Sequence, residues 1–228
     1  MDMCTDNMSL NSLESFNSYW NYYIELENEL LNMSKYIPID KLNKNTFSFK
    51  YMKLIFSICS ELDTVFKEFM EFKGIYKNQP NMNDYKIFMR DNFQNFSSEI
   101  ILCNRLNELK PFENWDLNDS SPLWWKDYND IKHYRTKKEN GIENFKKSTQ
   151  LNTLYALSAL YQLETYLYRE LVDKYEKNSS LKIPLPQSKI FRIKDWPNNR
   201  SLIDDKYLFE FDQIEKSLVF YAPDNLND

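Results

Sequence analysis

Only two glycines, Gly74 and Gly141, occur in 228 residues. Phosphate-cradling loops, dinucleotide-binding turns and tight-turned β-sandwiches all need backbone conformations that glycine adopts and other residues resist. Such scarcity argues against all three. Apolar residues make up 42% of the chain and aromatics 16%, so a sizeable core can form from one domain, or from one domain with an appendage. The expected class is all-α, a bundle of four to five helices over residues 1–178. A linker and a small β appendage packed on the bundle follow over 179–228.

The helices are legible from apolar side chains recurring every three to four residues. Residues 11–33 carry Leu13, Phe16, Trp20, Tyr23 and Leu30, with one polar intrusion at Glu27 and a capping signal at Asn11 and Glu14. Residues 47–73 carry a stripe from Tyr51 to Phe69 and end at Gly74, a C-terminal cap. Residues 83–96 give a third helix, capped by Asn81 or Asn83. Ser98 to Cys103 reads as a continued helix or a short strand, the strand being preferred. A fourth helix spans 122–137, with Ser121 as its cap and Pro122 at its first position, and Lys137 to Gly141 breaks it. The fifth, 149–175, is apolar on more than one face, as in a helix surrounded by others. Pro184 and Pro186 mark a linker, and three short runs near 189–193, 207–211 and 217–221 alternate as strands do.

Charge and cysteine usage narrow the function. The net charge of −5 gives no global attraction to nucleic acid, so any such contact needs a local basic patch. Cys4, Cys59 and Cys103 are odd in number and scattered, which fits a reducing cytoplasm; with a single histidine, no metal-ligand spacing exists. No cofactor or metal is expected. The N-terminus lacks the basic and apolar regions of a signal peptide, and no apolar run is long enough to span a membrane.

The candidate site lies in the fourth helix, Ser121 to Arg135. It holds the only histidine, His133, and two of the five tryptophans. At 100° per residue Trp124, Tyr128 and Ile131 share an apolar face; Asn129 and His133, four residues apart, lie beside it, with Lys132 between. A neutral imidazole is a base and a protonated one an acid near neutral pH, while Lys132 or Arg135 can stabilise charge on a phosphorane. Glu61 falls at the edge of the second helix's buried stripe. Its expected role is to orient His133 or to pair with Lys132. From Leu123 to Gln150 seven Lys or Arg face four Asp or Glu, a local excess in which Lys126, Lys132, Arg135, Lys137 and Lys138 form a candidate phosphate footprint. A solvated structural face is the plainer reading of the same residues.

The run Trp-Trp-x-x-Tyr-Asn-x-x-Lys-His-x-Arg over residues 124–135, followed by a long apolar helix, resembles the HEPN superfamily. The Cys59–Asp63 stretch with Lys67, and Trp20 to Tyr23, extend that similarity over residues 13–175. The resemblance implies an up-and-down helical bundle. Many members are metal-independent endoribonucleases of toxin–antitoxin, abortive-infection and antiviral systems. Their signature is an Arg, usually followed by a polar residue, then a His after four to six intervening positions. Asn129 and His133 match that pattern, and Tyr128 stands where Arg is expected. Lys132 or Arg135 would then have to supply the cation, and a lysine does not reproduce a guanidinium fork. Two-histidine chemistry needs two chains, so a homodimer is expected. The rival expectation is a non-catalytic module that dimerises or docks on a partner protein.

Overall fold

The computed structural model describes residues 13–103, 106–113, 115, 121–176 and 182–196, together with the backbone pairing of strands at 201–202, 208–212 and 217–221. Among the described residues there are five α-helices: α1 (Leu13–Ser34), α2 (Phe49–Phe72), α3 (Met82–Asn92), α4 (Leu123–Tyr134) and α5 (Gln150–Tyr175). The described residues are mostly helical, as the chain's periodicity and lack of glycine imply. The expected cap at Asn11 lies outside the described residues.

Local chemistry sets most helix ends. The Ser48 hydroxyl accepts the Tyr51 N–H, and the Thr149 hydroxyl accepts that of Asn152. Asn81 and Asp84 form a reciprocal capping box at the start of α3. Beyond α2, Gly74 takes φ +77°; the Ile75 N–H reaches Met70 O and the Gly74 N–H reaches Glu71 O, which satisfies the last carbonyls of the helix. The fourth helix departs from expectation at both ends. Its cap is Pro122 rather than Ser121, and no side chain bonds the first turn. It stops at Tyr134 because Lys138–Glu139 (β3) and Ile142–Glu143 (β4) form a hairpin across Asn140 and Gly141, at φ +51° and +80°. Positive φ at both central residues is what a two-residue Asn-Gly hairpin turn requires. Buried Asn144 donates its amide to the Tyr134 carbonyl and closes the exposed end of α4.

The core is organised around α5, which packs against α1, α2 and α4. Ile58, Leu62, Leu154, Leu157 and Leu160 are fully buried, as their spacing predicts. The starts of α2 and α5 lie side by side: Gln150 N–H bonds Thr46 O, and Ser48 N–H bonds Ser148 O. Farther along, Lys73 pairs with Glu170, and the Phe72 and Tyr175 rings meet, so these two helices run parallel. On α1, Phe16 meets Tyr168 and Trp20 meets Tyr161, while Gln150 bonds the carbonyls of Ile37 and Pro38 just past its end. Thus α1 runs antiparallel to α5.

A small sheet seals one side. Ile101–Cys103 (β1) lies between Asn107–Leu109 (β2) and Phe191–Ile193 (β5), all antiparallel. Strand alternation puts Ile101, Leu109 and Ile193 on one buried face. The stretch around Pro184 and Pro186, read from sequence as a linker, is docked on α1. Trp20 Nε1 donates to Pro186 O at 2.8 Å. Fully buried Glu27 accepts from the Tyr23 hydroxyl at 2.6 Å, the Lys189 N–H at 2.7 Å and the Ser188 hydroxyl. The polar intrusion in α1 is therefore an anchor for residues 188–189. Burial raises the Glu27 pKa, and the three donors oppose that rise. Ser201–Leu202 (β6), Leu208–Asp212 (β7) and Ser217–Tyr221 (β8) pair in sequence order as a separate antiparallel sheet. No helix of the described residues is long and apolar enough to cross a membrane.

Candidate nucleic-acid interface

Helix α4 is fixed by its aromatic face. Trp124 is buried and donates its indole N–H to Pro111 O at 2.7 Å, with its ring edge-on to Phe112. Tyr128 is buried against Phe56 of α2 and Trp125. Ile131 completes the face. With this side held, the opposite side faces solvent. His133, Lys132, Lys126 and Arg135 are exposed, and Asn129 is half-buried at the margin. Lys137 and Lys138 are exposed at the start of the hairpin.

Acidic groups of this region are gathered on one lysine. Lys147 Nζ lies 2.7 Å from Asp130, 2.7 Å from Glu139 and 3.5 Å from Asp127. Asp127 also accepts from the Asn152 amide at 2.8 Å. Burial raises the Asp127 pKa despite those partners, and the three carboxylates hold the Lys147 ammonium well above the usual lysine range. The consequence for the surface is charge imbalance. Four acids lie between Leu123 and Gln150, and Lys147 engages three of them. The other six cations, Lys126, Lys132, Arg135, Lys137, Lys138 and Lys146, have no ion pair among the described residues. Instead Lys132 lies over the Tyr128 ring, Lys137 over Tyr134 and Lys146 over Phe47, at 5.4, 5.3 and 5.8 Å. Tyr134, 59% exposed, and Phe49, 68% exposed, offer open ring surface on the same region. Phe49 and Phe47 are joined to it through Phe145.

Glu61 is not part of this cluster. It is half-buried, as its wheel position predicts, and burial raises its pKa. No hydrogen bond or ion pair joins it to Lys132 or His133 among the described residues. Its electrostatic neighbour is Glu164 of α5, which is fully buried with both carboxyl oxygens lacking a hydrogen-bond partner. Burial, and with it the like charge of Glu61, pushes the Glu164 pKa well above the usual carboxylate range. The expected partnership of Glu61 with α4 is not formed by any hydrogen bond or ion pair among the described residues, and its charge acts on Glu164. Cys59, two residues earlier, is fully buried, and burial pushes its thiol up in spite of the nearby Lys132 charge. Among the described residues no group of three His, Cys, Asp or Glu is arranged to hold a metal ion.

Comparison with protein-family models, curated proteins and solved structures finds no match.

A second polar region, unmarked by any sequence motif, lies on the far side of α5. An open cavity of about 930 Å³ is bordered by the end of α3, residues 98–100, the side of α5 at Tyr166 and Arg169, and the turn 194–196. Only the Tyr166–Arg169 spacing, three apart on one helix, is visible in the sequence. The contributions of Glu99 and of Asp195 and Trp196 depend on the pairing of β1 with β5, which joins positions about ninety apart.

Proposed function

We propose that this protein is RNA-directed, binding single-stranded RNA across α4 and the β3–β4 hairpin, with His133 as the acid–base group of a metal-independent endoribonuclease of the HEPN kind. One observation carries this reading: six cations of the 123–150 stretch have no ion pair among the described residues, and the His133 imidazole of the same stretch is exposed, in a chain of net negative charge. Phosphates are bound by unpaired cations, and single-stranded bases stack on open rings such as Tyr134 and Phe49. Asn129, one turn from His133, is placed to hydrogen-bond a ribose or phosphate oxygen. Cleavage by the ribose 2′-hydroxyl requires a base and an acid, and each chain has one histidine, so a two-histidine mechanism would need two copies sharing the cleft. Lys132 or Arg135 would stabilise the phosphorane. Service in a toxin or antiviral defence system follows from the HEPN resemblance alone.

A second reading has its own support. Tyr128, at the position of the HEPN arginine, is buried against Phe56 and Trp125 and presents no cation. A bundle that has lost its arginine serves as a non-catalytic interaction module. RNA cleavage in the presence of chelator separates the two. Wild type is expected to cut single-stranded RNA and His133→Ala to bind it without cutting. RNA binding without cleavage by wild type would remove the catalytic role, and no binding at low salt would favour the interaction module.

A further inference from the structure

The cavity beside α5 is lined by groups of both signs with polar amides between them. Arg169 sets its character. Its guanidinium carbon sits 4.5 Å from the Tyr166 ring centre and 4.6 Å from that of Trp196, and those two rings are themselves 4.9 Å apart. Three such distances place the cation over a corner formed by both rings, with one side covered by aromatic carbon. Its nearest carboxylate oxygen, on Glu170, is 3.9 Å from Nε, beyond hydrogen-bonding reach, and Glu170 is engaged by Lys73. Among the described residues the N–H fork of Arg169 is thus held in place and has no hydrogen-bonded protein acceptor. A guanidinium so fixed is suited to a carboxylate or phosphate in its plane.

Across the cavity wall Glu99 is half-buried and accepts the Tyr166 hydroxyl at 2.5 Å. Arg169 and Asp195 both act on its charge, which puts the three groups in electrostatic reach of one another. Asp195 is presented by a turn at φ +56°, a left-handed conformation that Asp tolerates. The remaining charges are already engaged: Asp91 with Arg90 at 3.0 Å, and Lys194 with Glu108 at 3.0 Å. What stays available is one cation and two carboxyl groups, with the amides of Asn92, Gln94 and Asn95 on the rim. A dianion such as a phosphate monoester would gain one attraction and meet two repulsions. A molecule with one carboxylate and one ammonium matches both signs. The volume of about 930 Å³ lies within the range of small-molecule sites.

We infer that this cavity binds a small zwitterion, an amino acid or short peptide, with its carboxylate on the Arg169 fork and its ammonium between Glu99 and Asp195. The inference is independent of RNA binding, since α4 takes no part in the cavity.

The test uses the full chain and ¹⁵N NMR of the Arg169 Nε–H and the Trp196 indole N–H. Four probes are titrated separately: triglycine, acetate, methylammonium and adenosine monophosphate. Triglycine is expected to shift both signals and to bind at least tenfold more tightly than acetate or methylammonium, because each of those satisfies one sign only. Arg169→Met keeps the aliphatic stem on the rings, and it should weaken triglycine binding at least tenfold. Glu99→Gln keeps an acceptor for Tyr166, so it tests the same site without disturbing the packing. It should weaken triglycine and methylammonium while sparing acetate. Tighter binding of adenosine monophosphate than of triglycine, no shift with any probe, or triglycine affinity unchanged in Glu99→Gln would each overturn the inference.

Discussion

At the scale of single residues, two carboxyl groups with no sequence motif, Glu164 and Glu61, act on one another's charge. Glu164 is sealed in the core without a hydrogen bond, and Glu61 adds like charge beside it. A proton held in the folded state and released in the unfolded state makes stability depend on pH. With the folded pKa raised, stability is full below the usual glutamate range and falls as pH rises toward the folded pKa, by up to about 1.4 kcal/mol per pH unit. Glu164→Gln removes that dependence. In urea unfolding from pH 4 to 8 the variant is expected to match wild type at the acid end and to exceed it increasingly toward pH 8. Parallel curves would show that Glu164 is ionised and solvated in the native state. Glu61→Gln makes a contrasting case. Because the Glu61 charge acts on Glu164, and no hydrogen bond or ion pair joins Glu61 to α4 among the described residues, the substitution should flatten the same pH dependence and leave the His133 NMR signals unmoved. A shift of His133 would restore the link between Glu61 and α4 that its position on the helical wheel suggested.

At the scale of elements, Lys147 and the Asn140–Gly141 turn decide how α4 presents its basic side. Lys147 neutralises three carboxylates from α4 and β3, and its ammonium is mostly shielded. Lys147→Met leaves Asp127 buried beside Asp130 without a cation, and about 1–3 kcal/mol of stability should be lost, read from urea unfolding at pH 7. Acid should narrow the loss as the carboxylates protonate. Gly141→Ala isolates the turn. An added Cβ would meet nothing within 4 Å, so the cost is the positive φ alone, roughly 1 kcal/mol. Much of this architecture was legible in advance. The five helices follow from long apolar periodicities, and the strand at Ile101 and the cap at Gly74 from local residue preference. The hairpin was read as a mere helix break because strands of two residues carry no alternation. The strand near 189–193 was expected, but the stretch around Pro184 and Pro186 was read as a linker because its ties, Pro186 O to Trp20 and Ser188 to Glu27, join positions more than 160 apart. Sequence periodicity reports which face of a helix is buried, never which distant segment covers it. The same reason hid the Arg169 cavity and misdirected Glu61, while the exposed cations of α4 needed no distant partner to be identified.

At the scale of the whole molecule the question is whether an acidic protein can hold RNA by charge. The net −5 repels a polyanion at long range, but screening at about 0.15 M salt confines that repulsion to roughly 8 Å. Within that distance RNA on α4 would meet Lys126, Lys132, Arg135, Lys137, Lys138 and Lys146, and three of the four acids of the stretch are engaged by Lys147. Each phosphate neutralised on a single strand contributes about 0.7 to the slope of log affinity against log salt. If four of the six cations engage, the slope should be roughly −3. Lys132→Met and Arg135→Met should each reduce it by about 0.7, whereas Glu61→Gln should leave it unchanged. Lys147→Met tests the argument from the other direction: it frees Asp127, Asp130 and Glu139 to repel phosphate, so RNA affinity should fall more than for any other single lysine of the region. His133→Ala should retain most of the slope, since it leaves all six cations in place, and should lose cleavage. Sedimentation in the presence of RNA completes the test, because shared histidines demand two chains per cleft. A monomer that still cuts RNA would exclude the two-histidine mechanism, and a salt-independent affinity would exclude the basic face of α4 as the site of contact.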